Sequence, residues 1–568
     1  MSSGICCVIY IKIRAFCRGS QALRMDEFLP TGSLFLGFDS STQSLKATIL
    51  DHELKIVKSL SIHFDSDLPH YGTKDGVIRD AREDGRIVSP TLMWVEALDL
   101  ALERLQSDLE LGKIVAISGS GQQHGSVYWN KNASDVLRSL DGTKRLVDQL
   151  DNAFSLKESP IWMDCSTSSQ CREIEDFVGG ALELANITGS RAYERFTGPQ
   201  IRKIYQSQPN VYDETHRISL VSSFLASIFI GKYAHIDHTD GAGMNLLDIK
   251  QRTWSKTALE ATAPNLAEKL GTLSAAHELA GRISPYFVAR FGFNENCSVI
   301  NWSGDNPNSL AGLSLSKTGD LAISLGTSDT VFGISGNPKP GLEGHVFPNP
   351  VNPESYMVML CYKNGSLIRE DVRDRCAGNS WEKFNEFLQQ SPPLNDGKMG
   401  FFYKDHEILP PLPIGFHRYI IRNMEEEEVD EFDAAAEVRA VVEGQFVSMR
   451  GHAERFGLPS PPERLLVTGG ASANLAILNV LAGVFGCDVC TVERPDSASL
   501  GAALRAAHGW LCYRRGAFVP IQDFYDRSFG SCKVSATAGD PTLVVAYVQM
   551  KTRRLQIENR LLHNLSRS

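Results

Sequence analysis

The sequence predicts an α/β protein of two domains with a central cleft, and three observations carry that prediction. The chain has 568 residues, more than one hydrophobic core usually serves. From Leu34 onward, short apolar strand-like runs alternate with segments of helical periodicity. The same strand-turn-strand pattern also opens both halves, at residues 34–50 and 321–334, and reads as a faint internal duplication.

The elements follow in order. Residues 34–39 and 45–50 are apolar runs around a polar turn, which predicts a β-hairpin. A helix is expected next, with Ser89 as its cap, Pro90 in its first position and Leu92, Val95, Leu98, Leu102 and Leu105 along one face. Residues 113–118 read as a strand opening onto Gly119-Ser120-Gly121-Gln122-Gln123-His124-Gly125. Residues 218–230, apolar but interrupted by serines and closed by Gly231, suit a buried helix. The second hairpin spans 321–325 and 330–334. Residues 391–430, rich in proline and ending near Glu425-Glu426-Glu427-Glu428, read as a solvated excursion. Residues 465–468, 469–474 and 475–484 form a strand, a glycine turn and an apolar helix. A helical stretch at 541–562 is expected to pack back across the first domain. The expected divisions are a leader over 1–30, a first domain over 31–301 and a second over 302–568.

Composition narrows the function. The formal net charge of −10 and pI near 5.8 argue against nucleic acid or anionic lipid as a general partner, because those ligands gain from counterion release only on a basic surface. No apolar run reaches the ~18–20 residues that cross a bilayer. The 12 cysteines form no disulfide framework, so a reducing, cytoplasmic setting is expected, with the chain a monomer or homodimer. Cys487 and Cys490 make a C-x-x-C, but on a strand that spacing sends them to opposite faces. Near the N-terminus the apolar stretch precedes Lys12, Arg14, Arg18 and Arg24, the reverse of a secretory signal. An unstructured leader with Met25 as an alternative start is expected there, a transit peptide being the other reading.

Four polar turns stand where strands end. Asp39-Ser40-Ser41-Thr42-Gln43 sets a carboxylate beside three hydroxyls, and Gly326-Thr327-Ser328 repeats the hydroxyl-rich turn; two such turns face to face could bracket a triphosphate, whereas either alone could be an ordinary polar turn. Ser303-Gly304-Asp305-Asn306-Pro307 exposes Asp305 and Asn306 at a strand terminus, where open α/β sheets bind ligands, or else forms a helix cap. Gly469-Gly470-Ala471-Ser472-Ala473-Asn474 offers bare backbone for a flat base, or a plain tight turn. His124 lies in a cluster of side-chain donors and acceptors. There is no G-x-x-x-x-G-K-[ST] loop. A dinucleotide-binding reading of Gly119-Ser120-Gly121 fails on spacing, since the third glycine, Gly125, comes one residue late.

Taken in order, Phe38-Asp39-Ser40-Ser41-Thr42-Gln43, Gly121-Gln122-Gln123-His124-Gly125, Ser190 to Gly198, Gly304-Asp305-Asn306, Ser324 to Ser328 and Thr468 to Ser472 resemble the FGGY carbohydrate kinases, over residues 34–510. The resemblance implies two actin-like (ribonuclease H-like) ATPase domains, and a reaction that moves a phosphoryl group from ATP, with Mg²⁺, to a small sugar. It implies Asp305 as catalytic base, with His124, Arg195 and Asn306 on the sugar and Asp39 on Mg²⁺. Thr42 and Thr327 would lie near the phosphates, and Gly470, Ala471, Asn474 and Trp381 around the nucleoside. Many relatives carry an arginine shortly after a Trp-x-Asp motif. Here Trp162-Met163-Asp164 is followed by Cys165-Ser166-Thr167, which leaves a substrate role for Asp164 in doubt and favours Arg195 as the basic contact. The rival from another class is a non-catalytic nucleotide switch on the same fold.

Overall fold

The computed structural model describes residues 29–79, 83, 85–422, 425–492, 496–522 and 533–565. The leader expected over 1–30 lies outside these residues except at its end, where Leu29 is buried and joins the large hydrophobic cluster.

The first sheet begins with β1 (Leu34–Ser40), β2 (Ser44–Leu50) and β3 (Ile56–His63), joined as an antiparallel meander. Helix α1 (Thr91–Asp108) follows. It starts one step later than expected: Pro90 is its N-cap, and Ser89 instead lies in a short strand, Ile87–Pro90, where its hydroxyl donates to Gly76 O. Strand β4 (Ile114–Gly121) then runs parallel to β1. The serine-interrupted apolar run divides in two: Thr215–Leu220 is a strand, and α2 (Val221–Ile230) is the buried helix, ended by Gly231 in the left-handed region. Strands β5 (Leu279–Arg282), β6 (Ser298–Ile300) and β7 (Ser303–Gly304) complete the sheet, with β6 and β7 parallel to β4, and α3 (Asp305–Gly312) leaves directly from β7. The described strand order is β5-β6-β4-β1-β2-β3. Phe38, Phe229 and Trp302 stack beneath it. Gly119 and Gly121 prove to be packing residues of β4: a Cβ on Gly119 would meet the Trp302 ring at 2.2 Å, and one on Gly121 the start of α2 at 2.5 Å.

The second sheet repeats the plan. Strands β8 (Asp320–Leu325), β9 (Asp329–Ser335), β10 (His345–Pro348) and β11 (Tyr356–Tyr362) form the antiparallel part. After α4 (Ser366–Ala377), α5 (Trp381–Gln390) and α6 (Ala434–Arg455), strand β12 (Arg464–Thr468) pairs in parallel with β8. Helix α7 (Leu475–Phe485), β13 (Val489–Thr491), α8 (Ser497–Arg515), β14 (Lys533–Ala536) and α9 (Pro541–Leu565) complete the described chain. In each sheet a hairpin pairs in parallel with a central strand that ends at a candidate turn, which is the duplication anticipated from the sequence.

The last helix does not cross to the first sheet as expected. The buried side of α9 lies on α6, where Tyr547 donates to Glu443 at 2.5 Å and His452 meets Glu558 at 3.1 Å, and on the neighbouring strand Lys398–Tyr403, where Arg554 donates to Gly400 O. Periodicity reveals such a face but not what it covers. The element that does return to the first sheet is α8: Ser499 meets Thr48 of β2 at 2.9 Å, and Arg505 donates to Asn308, Ala276 O and Asn301 O. The acidic run is exposed as read at Glu425, Glu427 and Glu428. It is a strand, Glu425–Glu428, whose Glu426 is mostly buried and pairs with Arg553 and Arg560 of α9. Cys487 is a free thiol just before β13 and Cys490 is buried within it, and no helix among the described residues is long and apolar enough to cross a membrane.

Candidate active site

The β1–β2 hairpin places Asp39 opposite Lys46, buried, with an oxygen accepting from Ser120 Oγ at 2.8 Å. Burial first, and the nearby Asp305 carboxylate second, push its pKa up to about 7 against the weaker pull of Ser120, Lys46 and Ser41. Asp305 is the first residue of α3, half-buried. Three donors converge on its Oδ1: Gln123 N at 3.2 Å, Asn306 N at 2.9 Å and Asn306 Nδ2 at 3.2 Å. Among the described residues no hydrogen-bond partner meets Oδ2. Burial raises this carboxyl above its ordinary pKa, and the backbone donors of Asn306 and Gln123 oppose that rise.

His124 is buried, with φ 70°, and its Nδ1 lies 2.8 Å from Gly243 O. A carbonyl only accepts, so Nδ1 carries the proton and Nε2 is left as an acceptor. Burial, reinforced by Arg195, holds its pKa down to about 3, so the ring is neutral. Arg195 lies over the Tyr193 and Phe196 rings at 4.7 and 5.4 Å and donates to His345 Nε2 at 2.9 Å. Asn306 is held by Gln123 Oε1 at 3.1 Å.

These residues share a cavity of about 740 Å³, walled by His124, Arg195, Asp305 and Asn306 on one side and by Ser328, Thr330 and Lys363 on the other. Thr42 lines this cavity while Thr327 lines the next, and its hydroxyl accepts from Trp162 Nε1 at 2.8 Å. Asp164 stands in the wall with its carboxylate spent on structure, accepting from Ile87 N, Ser166 N, Ser166 Oγ and Gln200 Nε2.

A second cavity of about 650 Å³ gathers Thr327, Trp381, Gly470, Ala471 and Asn474, together with Glu370 and Asn385. Asn474 caps α7, accepting from Ala476 N and Ile477 N, and donates to Asn385 Oδ1. Trp381 stands under Arg373, 4.8 Å from the ring centre. The hairpin turn is pinned from behind: Ser366 donates to Gly326 O, and the fully buried Arg369 grips Asp329 through two hydrogen bonds of 2.7 and 2.9 Å. Thr327 lines one cavity and Ser328 the other, so a single turn separates them. Such a turn can hold a phosphate chain whose end faces Asp305.

Trp162, His345 and Asn385 were not singled out from sequence as site residues. Trp162 had a signal, the Trp-x-Asp motif, and is 43% exposed in the cavity wall. His345 had none, since only the tertiary fold brings it to Arg195.

Two family models match the chain: the FGGY family of carbohydrate kinases, N-terminal domain, over residues 142–312, and its C-terminal domain over residues 321–510. The chain is 63% identical over 553 residues to xylulose kinase 2 of Arabidopsis thaliana, covering 95% of this chain and 99% of that one. It is 47% identical over 529 residues to xylulose kinase of Rattus norvegicus, covering 93% and 97%. Among solved structures, ligand-bound xylulose kinase from Lactobacillus acidophilus superposes with TM-score 0.74 at 19% identity, covering 93% and 98%. Plasmodium falciparum glycerol kinase with ADP superposes with TM-score 0.71 at 14% identity, covering 94% and 98%. The fold they share is the two-domain actin-like ATPase fold. With both domain models matched in order and a relative this similar along almost its whole length, the chain belongs to the FGGY family of carbohydrate kinases.

Proposed function

We propose that this chain transfers the γ-phosphoryl group of ATP to D-xylulose, giving D-xylulose 5-phosphate, with Asp305 as the base. The observation that carries the reading is the pair of cavities parted by one hairpin turn, with the Asp305 carboxylate at the wall of the first and bare glycine backbone in the second. In this reading residues 31–301 bear most of the sugar side and 302–568 the nucleotide side, and closing the two excludes water.

The sugar has three partners of distinct character. His124 Nε2 accepts from a hydroxyl, Arg195 donates to an oxygen, and Asn306 does so through its amide. Asp305 Oδ2 accepts the proton of the attacking hydroxyl, while its Oδ1 is fixed by three donors so that the carboxyl cannot turn away. A carboxylate is a weak base, but in a loose phosphoryl-transfer transition state the proton leaves late, and alignment carries most of the rate. Thr327 and the backbone of its turn hold phosphate; Trp381, Gly470, Ala471 and Asn474 hold the nucleoside.

Mg²⁺ fits at Asp39. The buried Asp39 carboxylate lies near that of Asp305, a concentration of hard oxygen donors and negative charge that suits a divalent cation. Bound there, it would offset the charge of the phosphates. The 12 cysteines, whose spacings make no disulfide framework, suit a reducing cytosol.

The choice of D-xylulose is supported by relatives from plant to rodent whose names give xylulose kinase. The fold does not make that choice, since gluconate and glycerol kinases share it. A coupled ADP-release assay over ketoses, polyols and aldonates tests it. D-xylulose is expected to exceed ribulose, gluconate and glycerol by ~10-fold or more in kcat/KM. ADP release indifferent to every sugar would instead favour a nucleotide switch.

A further inference from the structure

We propose that His345 is a positioning residue for sugar binding: its Nε2 accepts a hydrogen bond from Arg195 and so aims the guanidinium into the cavity. The inference rests on the reading of Arg195 as a sugar contact.

His345 is the first residue of β10, on the second sheet, whereas Arg195 belongs to the segment that follows Gly189 in the first half. Four hydrogen bonds clamp the two together. Val346 N donates to Gly189 O at 2.9 Å, Tyr193 Oη to Leu342 O at 2.8 Å, and Arg195 to His345 Nε2 at 2.9 Å, while His345 Nδ1 lies 3.0 Å from Ser190 Oγ. A guanidinium only donates, so Nε2 must be the acceptor and the proton sits on Nδ1, aimed at Ser190. The imidazole is buried between Tyr193, Phe196 and Phe347, with ring centres 5.1, 5.5 and 5.9 Å away, which leaves it one orientation.

The choice of partner matters chemically. No carboxylate among the described residues forms an ion pair with Arg195, which is held instead by a neutral ring and two aromatic faces. A carboxylate would orient the guanidinium but neutralise it; an imidazole orients it and leaves its charge for the ligand. Burial, with Arg195 and His124 close by, holds His345 well below its ordinary pKa, so it remains an acceptor at neutral pH. Because the histidine and the arginine come from different halves, the sugar contact is aimed by the half that carries the nucleotide cavity.

Steady-state kinetics on five variants test this. His345→Phe keeps a ring but loses the acceptor, and should raise KM for D-xylulose about 10-fold or more with KM for ATP within about 2-fold. His345→Gln, whose Oε1 can replace Nε2, should recover most of that loss. In an Arg195→Ala background, itself raised in sugar KM, His345→Phe should add less than about 2-fold. A purely structural role would move both KM values and persist without Arg195. If His345→Phe does not fold, His345→Asn, too short to reach Arg195, should show the defect that Gln avoids. Equal sugar KM for wild type, Asn and Gln overturns the inference. If Arg195→Ala leaves sugar KM unchanged, the sugar-contact reading itself fails; if Arg195→Ala raises it while His345→Phe does not, only the positioning role fails.

Discussion

Replacing Gly469 with alanine adds one methyl group where the nucleotide-side turn meets the phosphate hairpin. Gly469 has φ 88° and ψ 174°, a region that residues with a Cβ occupy at a cost of ~1–3 kcal/mol. The new Cβ would also lie 2.5 Å from Leu325 O and 2.9 Å from Leu325 N. Both are backbone atoms, so relief requires the parallel pairing of β8 and β12 to part at Ser324↔Thr468, weakening a ladder bond worth about 1 kcal/mol. A loss of ~3 kcal/mol follows, which at roughly 2–4 °C per kcal/mol for a large domain lowers the apparent Tm by ~6–12 °C. Leu325 leads straight into Gly326 and Thr327, so KM for ATP should rise about 10-fold as well. Gly470→Ala is the control. A Cβ there meets nothing within 4 Å and enters the nucleotide cavity. It should leave Tm within ~2 °C while raising KM for ATP a few-fold. Thermal melts and an ATP titration of ADP release, at saturating sugar, measure both. A Gly469→Ala protein that melts and uses ATP like wild type refutes the reasoning.

Two further outcomes concern the frame around the site. Arg369 and Asp329 are both fully buried, so Arg369→Met strands a carboxylate and should cost ~3–5 kcal/mol, much of it regained in Arg369→Met/Asp329→Leu; unchanged melting of the single variant contradicts this. Glu558 is buried, and His452 first, then Arg554 and Ser448, hold its pKa down to about 2. A carboxyl depressed on folding adds stability above its ordinary pKa of 4.5 that disappears as pH falls through about 2. Glu558→Gln should therefore lower stability at pH 7 by on the order of 3 kcal/mol, read as a lower Tm, and the gap to wild type should close between about pH 4.5 and 2. A gap that does not change with pH counts against it.

What sequence could reveal here follows from how local each feature is. Both hairpins were legible because the apolar runs over 34–50 and 321–334 are a property of neighbouring residues, and the glycine turn at 469–470 because Gly469 takes a positive φ that favours glycine. The gathering of His124, Arg195, Asp305 and Asn306 in one cavity was expected from a family resemblance, and the fold brings them together. Long-range pairings were not legible. The hydrogen bond that Thr42 accepts from Trp162, 120 positions away, is one of them. The last helix announced an apolar face, yet its docking is decided by the Glu443, His452 and Gly400 groups that await Tyr547, Glu558 and Arg554 on α6 and beside it. His345 reaches Arg195 across 150 positions, and an isolated histidine gives no hint of its partner.

The central claim is that the Asp305 carboxylate takes the proton of the sugar hydroxyl. Asp305→Asn keeps the shape and an oxygen to accept from Gln123 N and Asn306 N, and removes the basic charge. The direct measurement is kcat of this variant with D-xylulose, alongside its ATP affinity by equilibrium binding. The account predicts kcat lowered by ~10² or more with ATP bound within about 3-fold of wild type; a variant that keeps near-full kcat contradicts it.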